Sequence, residues 1–221
     1  MEVDDEDSCE SEYRLQIGNE VKYLVINPST YDRDTLSFPL ADLPPLQYSA
    51  TWTVANISRS PTGTLRTTLS TRKLAGVKSL WHPTTIDYFG LEKTEQLTGA
   101  AYEALPTPAL SPTLDIAPHA PVIAKIARFE WEIPRLEQET RIYRLLASAD
   151  SELAPRFLGH IREGERVIGF VLEKVVGRAA GTEDLAACGE VLGRLHGVGV
   201  VHGDVNRFDF LVGEGGGGED Y

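Results

Sequence analysis

A short stretch around residue 205 carries the side chains best suited to chemistry in this chain. His202 and Asp204 lie two residues apart, and a second carboxylate, Asp209, follows five residues later. Phosphoryl transfer needs such a set, because one carboxylate orients or deprotonates the attacking hydroxyl and a second oxygen ligand holds a metal ion on the phosphates. The residue types and their spacing therefore indicate phosphoryl-transfer chemistry in this loop.

A lysine and a glutamate further upstream form a second candidate pair. Lys125 interrupts the apolar strand pattern at 122–127, so its charge must either reach water, as in an edge strand, or find an anion. Glu139 falls on the apolar face of the helix predicted over 132–147 and also needs a partner. Glu137, on the opposite face of that helix, is a rival partner for Lys125. We expect Lys125 and Glu139 to pair.

In chain order, these parts resemble the kinase-like superfamily, in the His-Gly-Asp form of aminoglycoside and choline phosphotransferases and of fungal protein-kinase-like proteins. The order is strand lysine, helix glutamate, apolar strand 166–172, helix 184–196, His-Gly-Asp loop and a short strand. The resemblance covers residues 75–212. It implies binding of ATP and Mg²⁺ and phosphoryl transfer from ATP to a hydroxyl of a small molecule or a protein.

The resemblance also implies a role for each site residue. Lys125 would hold the nucleotide phosphates, and Glu139 would hold Lys125 in place. Asp204 would be the catalytic base, with His202 in a structural hydrogen-bonding role. Asp209 would bind Mg²⁺, because a carboxylate is a hard oxygen ligand.

The expected fold class is α+β. A β-rich N-terminal extension over 13–74 would precede a kinase-like small lobe over 75–175, made of an antiparallel sheet and one helix. The backbone at Glu173 and Val175 would form the hinge that binds adenine. The helical large lobe would begin over 176–212 and be incomplete.

Three departures from the family pattern bear on activity. Asp209 replaces the usual asparagine, no glycine-rich loop lies between Trp81 and Lys125, and no second metal-binding aspartate follows the short strand 210–212. We therefore expect an incomplete form of a longer kinase-like protein, with impaired or absent transfer. The alternative is a pseudokinase-type nucleotide-binding or protein-interaction module without catalysis.

The two chain ends and the cysteines carry no predicted chemistry. The first twelve residues hold seven acidic residues and no basic one, so residues 1–12 are predicted to be disordered. The glycine-rich residues 213–221 are predicted to be flexible. Cys9 and Cys188 are the two cysteines, and their contexts predict neither a disulfide nor a zinc site.

Composition limits the classes of partner. The net charge of −12 and the lack of a basic stripe argue against nucleic acid. No apolar run is long enough to cross a bilayer, and the acidic start is unlike a signal peptide, so a soluble cytoplasmic protein is expected. Helix 184–196 has an apolar stripe, and we expect a protein partner to cover it.

Overall fold

Two compact units make up the part of the chain that the structure describes. One unit runs to Ala75 and also includes Arg128–Trp131, and the other comprises Gly76–Ala127 and the chain from Glu132 onward. The fold of the described residues is mixed α+β, with three sheets and four α-helices. The residues that this computed structural model describes are 9–37, 43–46, 51–149 and 153–213.

The first unit is built on a four-stranded sheet in the order β1-β2-β3-β4, in which β2 and β3 are parallel and the other pairs antiparallel. Leu24 of β2 packs with Trp52, whereas Tyr23 and Val25 pack with Val54 in a separate cluster, so both faces of β2 are covered. Its elements are β1 (Ser11–Ile17), β2 (Glu20–Ile26), α1 (Arg33–Ser37), β3 (Val54–Arg59) and β4 (Leu65–Ser70).

The second unit contains a six-stranded sheet in the order β5-β9-β10-β8-β7-β6. β5 and β9 are parallel, and all other neighbouring strands are antiparallel. Strand β8, which carries Lys125, therefore lies inside the sheet, between β7 and β10. The strands are β5 (Thr85–Asp87), β6 (Leu91–Gln96), β7 (Ala101–Pro106), β8 (Val122–Ile126), β9 (Phe157–Glu163) and β10 (Arg166–Glu173).

The long helix of this unit follows β8 in the chain. Pro134 lies in its first turn, where a missing backbone N–H costs no hydrogen bond. Ile133, Leu136, Thr140 and Leu146 form its buried face. The remaining elements are α2 (Ser111–Leu114), α3 (Ile133–Ser148), β11 (Arg178–Ala179), α4 (Leu185–Gly197) and β12 (Leu211–Val212), with β11 and β12 paired antiparallel.

The core of the second unit forms two clusters of apolar side chains. One contains Ile86, Leu158, Ile161 and Val171 of the sheet together with Leu114 of α2. The other joins α3 to the sheet and contains Ile133 and Leu136 of α3 with Val77, Ala127, Phe157, Val167, Phe170 and Leu172. The alternation of buried residues along the strands thus separates the two clusters, and α3 belongs to the second.

β8 and β10 approach each other closely at Gly169. A Cβ at that position would lie 2.1 Å from the carbonyl oxygen of Lys125, far inside van der Waals contact. Glycine is therefore required there, and it keeps β10 in register so that Phe170 lies opposite Lys125.

The acidic segment is shorter than predicted. β1 begins at Ser11, and Ser11 and Glu12 pair with Ile26 and Val25, so the disorder predicted for residues 11 and 12 is wrong. Strand β2 pairs with this segment, and the sequence pattern could not reveal that pairing. Residues 1–8 lie outside the described residues, and of the tail predicted at 213–221 only Gly213 is described.

An antiparallel sheet was predicted for the second unit, but one pair of its strands is parallel. β5 joins it by parallel pairing of Thr85 with His160 and Ile86 with Ile161. Over the described residues, no helix has both the length and the apolar character needed to cross a membrane.

Candidate functional site

Lys125 and Glu139 form a charged pair within the second unit. Lys125 Nζ donates a hydrogen bond to Glu139 Oε2 at 2.7 Å. The side chains are 33% and 25% exposed, so each charge is withdrawn from bulk water but still reachable. A charge-assisted hydrogen bond in such a half-buried setting is stronger than an exposed surface ion pair.

The local structure explains why these two groups meet. Lys125 alternates with buried neighbours on β8, which puts it on the same strand face as Ile123, a residue that packs against the α3 cluster. Glu139 projects from α3 toward that face and is also approached by Arg135 at 3.7 Å. Glu137, the rival partner, contacts a different part of the unit.

Aromatic rings pack beside this pair. Phe170, opposite Lys125 on β10, is fully buried, and its ring lies 5.3 Å from that of Tyr143 on α3. Burial, reinforced by the negative charge of Glu139, raises the pKa of Tyr143, so its phenol stays neutral at physiological pH. The site therefore offers one ammonium group and one carboxylate, with Arg135 near the carboxylate and a neutral phenol beside it.

Glu173 and Val175, the predicted hinge residues, line a cavity of about 570 Å³. Trp81, Tyr143 and Phe157 form much of its apolar wall, and the Lys125–Glu139 pair does not line it. Arg156 stands at the cavity beside Glu173, with its Nε 3.6 Å from Glu173 Oε2. The volume is in the range of sites that hold a small organic molecule.

The His-Gly-Asp loop follows α4 and turns sharply. Gly203 has a φ of +81°, a conformation that a residue with a Cβ rarely adopts. Asn206 and Asp209 cap the single 3₁₀ turn between them, and Asp209 Oδ2 accepts the Asn206 N–H at 2.7 Å. His202 Nε2 lies 3.9 Å from Asp209 Oδ1, and Asp204 is exposed.

The loop is tied to the start of the same segment by a short ladder. Arg178 pairs with Val212 and Ala179 with Leu211, so β11 and β12 bracket α4 and the loop. Arg178 also forms a bidentate ion pair with Asp184, next to the beginning of α4. These contacts hold the two ends of the segment together.

The structure thus brings the predicted site residues together in three groups. Lys125 contacts Glu139, Glu173 and Val175 share a cavity, and His202 approaches Asp209. In the described residues, no hydrogen bond or ion pair joins the loop group to the lysine pair. The described part of the chain also has no cluster of three or more histidine, cysteine or acidic side chains that could hold a metal ion.

Sequence reasoning missed a pair of histidines beside the cavity. His82 lines the cavity, and its backbone N–H donates to Nε2 of His160, which is fully buried on β9. Burial, together with the proximity of His82, lowers the pKa of His160 to about 4, so the ring is neutral at pH 7. His160 and Arg162 interrupt the apolar run of β9, so the local sequence pattern gave no signal for this strand.

Comparison with protein-family models gives no match for this chain, and a search of curated proteins gives none either.

Proposed function

We propose that this protein binds Mg²⁺-ATP in the manner of kinase-like phosphotransferases, with Lys125 on the nucleotide phosphates. The observation that carries the proposal is the half-buried Lys125–Glu139 hydrogen bond at 2.7 Å. A lysine on an inner strand, held by a glutamate from the following helix, presents a fixed cation to phosphate oxygens. The capacity implied is phosphoryl transfer to a hydroxyl of a small molecule or a protein.

The order of elements supports this proposal. The strand with the lysine, the helix with the glutamate and the strand that ends at Glu173 occur in the chain order of the kinase-like pattern. β8 and β10 are also hydrogen-bonded neighbours, so the lysine and the hinge strand belong to one rigid sheet. A kinase-like small lobe would account for both the order of the elements and the pairing of β8 with β10.

The residues fit the bound group in part. Mg²⁺ on ATP takes one or two carboxylates with the phosphate oxygens, so a single residue, Asp209, can serve as its protein ligand. Asp209 already accepts a backbone hydrogen bond through Oδ2, so Oδ1, which lies 3.9 Å from His202 Nε2, would be the oxygen that holds the cation. Asp204 is exposed and free to orient an acceptor hydroxyl.

A binding assay with the full chain tests the proposal. Wild-type protein should bind Mg²⁺-ATP in a calorimetric titration, and Lys125→Ala and Glu139→Ala should each weaken binding about tenfold or more, since each removes a charge-assisted contact. Lys73→Ala, which removes an exposed lysine of the first unit, is the control and should bind like wild type. No binding by folded wild-type protein would contradict the proposal.

The second candidate function is nucleotide binding without transfer. Two observations favour it: Asp209 is engaged in capping its own loop, and the turn between β6 and β7 contains a single glycine, Gly99. A turnover assay separates the two candidates. Formation of ADP that Asp204→Asn abolishes supports transfer, whereas binding without ADP formation supports the binding module.

A further inference from the structure

The segment just before β5 links α3 to the sheet. We call residues 76–82 the strap. The Val77 N–H donates to the Val167 carbonyl oxygen of β10 at 2.8 Å, and the Val77 side chain is buried against α3. Gly76 passes so close to β10 that a Cβ would lie 2.9 Å from the Val167 oxygen. The strap is thereby fixed to the sheet at its first residues.

The strap is fastened to α3 mainly through Glu137. Glu137 Oε2 accepts the backbone N–H groups of Lys78 at 2.6 Å and of Ser79 at 3.3 Å, and Oε1 accepts the Ser79 hydroxyl at 2.5 Å. Arg141, one turn along α3, donates to the same Oε1 at 2.9 Å. One carboxylate thus accepts three hydrogen bonds from the strap and two more from the Arg141 guanidinium.

A second bond fastens the strap one turn further along α3. Trp81 Nε1 donates to the carbonyl oxygen of Thr140 at 3.1 Å. Thr140 is fully buried, and its hydroxyl bonds back to the Leu136 carbonyl. Since Glu137 and Thr140 are three residues apart, both fastenings lie on one side of the helix.

Glu139 lies on the other side of α3. Residues two apart are separated by about 200° around a helix, so Glu137 and Glu139 project in nearly opposite directions. Rotation of α3 about its axis that loosens Glu137 from the strap must also move Glu139 relative to Lys125 on the sheet. β8 and β10 are hydrogen-bonded neighbours, so the strap and Lys125 are both fixed to the same sheet.

We propose that Glu137 is a positioning residue, which fixes the rotation of α3 through the strap and so holds Glu139 on Lys125. This inference rests on the proposed function only in the use made of Lys125, that is, phosphate binding. The role of Glu137 does not require contact with a nucleotide. Through Glu137, the strap helps to hold the Lys125 ammonium group in position.

The experiment measures how readily Lys125 reacts with an amine-reactive acetylating reagent, followed by mass spectrometry on the full chain without nucleotide. Glu139→Ala should raise the labelling rate of Lys125 by about fivefold or more, because it removes a charged hydrogen-bond partner. Glu137→Ala should raise the rate by a similar factor. The double variant should react no faster than Glu139→Ala, since both changes release the same contact.

Gln138→Ala, on an exposed position of the same helix, is the matched control and should label like wild type. Ser79→Ala and Glu137→Gln carry the same test if Glu137→Ala does not fold, and Glu137→Gln should give a smaller rise because it keeps an acceptor oxygen. A wild-type labelling rate in a folded Glu137 variant would overturn the inference. So would additive effects in the double variant, or no rise in Glu139→Ala.

Titration of the same variants with Mg²⁺-ATP separates this inference from the proposed function. If Glu137→Ala exposes Lys125 and also weakens Mg²⁺-ATP binding, both stand. If it exposes Lys125 while folded wild-type protein binds no Mg²⁺-ATP, the positioning role stands and the proposed function fails. If nucleotide binds but Lys125 labelling ignores Glu137, the positioning role fails alone.

Discussion

Glu137 and Glu139 are two residues apart on α3, yet their surroundings give them different properties. Desolvation alone would raise the pKa of Glu137, but the hydrogen bonds from Ser79, from the Lys78 and Ser79 N–H groups and from Arg141 outweigh it and lower that pKa to about 2. The Glu137 side chain is 15% exposed, so these bonds are only weakly screened. The carboxylate therefore stays ionised throughout the physiological range.

The acid dependence of stability follows from this pKa. Because the folded pKa lies below that of the unfolded chain, the stabilisation by Glu137 is fully present above about pH 4.5 and is lost as the pH falls toward 2. We expect Glu137→Gln to lower the free energy of unfolding by about 2 kcal/mol at pH 7. Denaturant unfolding at several pH values should show this difference shrinking below pH 4.5.

The control for this measurement is Glu190→Gln, at an exposed position of α4. It should leave the free energy of unfolding within about 0.5 kcal/mol of wild type at every pH. A Glu137→Gln difference that stayed constant down to pH 3 would mean that the carboxylate charge does not stabilise the strap.

His160 makes stability respond to pH in a different window. Its folded pKa of about 4 is lower than the ordinary value of 6.5, so protonation favours the unfolded chain and stability is lost as the pH falls from 6.5 to 4. We expect wild type to lose about 2 kcal/mol more than His160→Gln over this range. His196→Gln, at an exposed histidine of α4, should follow the wild-type curve. Parallel curves for wild type and His160→Gln would refute the expectation.

Among the elements, those with a strong local pattern were predictable from the sequence. The helix predicted over 132–147 is α3 (Ile133–Ser148), and the apolar run predicted over 166–172 is β10. β9 escaped prediction because His160 and Arg162 interrupt its apolar pattern, although His160 is buried by tertiary contacts. Parallel pairing of β5 is a long-range contact that no local pattern specifies.

The candidate site was predictable in the same uneven way. Lys125 and Glu139 each placed a charge on an apolar face, and this conflict pointed to a pair. Two of the groups that donate to Glu137 are backbone N–H groups of the strap. Backbone groups are the same in every sequence, so this contact leaves no signature in residue types.

The close approach of β8 and β10 gives a prediction for the sheet. Gly169→Ala should lower the free energy of unfolding by about 2–4 kcal/mol, since its Cβ would overlap the Lys125 carbonyl oxygen. The denaturant midpoint should fall with an unchanged slope. Gly189→Ala within α4, where a Cβ meets no atom within 4 Å, should instead add about 0.5–1 kcal/mol. Equal stability of Gly169→Ala and wild type would contradict the close approach.

At the scale of the whole molecule, exposed apolar side chains are concentrated late in the chain. Seven of the twelve large apolar residues that are exposed in the described part lie between residues 175 and 211: Val175, Val176, Leu185, Val201, Val205, Phe208 and Leu211. Exposed apolar area of this kind marks interaction surfaces. The protein partner expected for α4 stays a prediction, and this concentration is where it would bind.

Dye binding tests this surface. Val176→Ser with Phe208→Ser, at two side chains that are 81% and 73% exposed, should lower the fluorescence of an added apolar dye such as ANS. Leu80→Ser with Leu97→Ser removes two exposed leucines from outside the surface and should have a smaller effect. Equal losses in the two double variants would show that the exposed residues of 175–211 do not form a common surface.

The parallel pairing of β5 with β9 has a consequence for the lifetime of the folded state. Thr85 meets His160 across a long stretch of chain, whereas β9 and β10 are joined by a tight hairpin. Closing the longer loop costs more entropy, so we expect the hairpin and β8 to assemble first and the strap with β5 to join late in folding. Contacts formed after the transition state slow unfolding without speeding folding. Weakening the strap should therefore shorten the time that each molecule stays folded, while the rate at which it folds stays nearly the same.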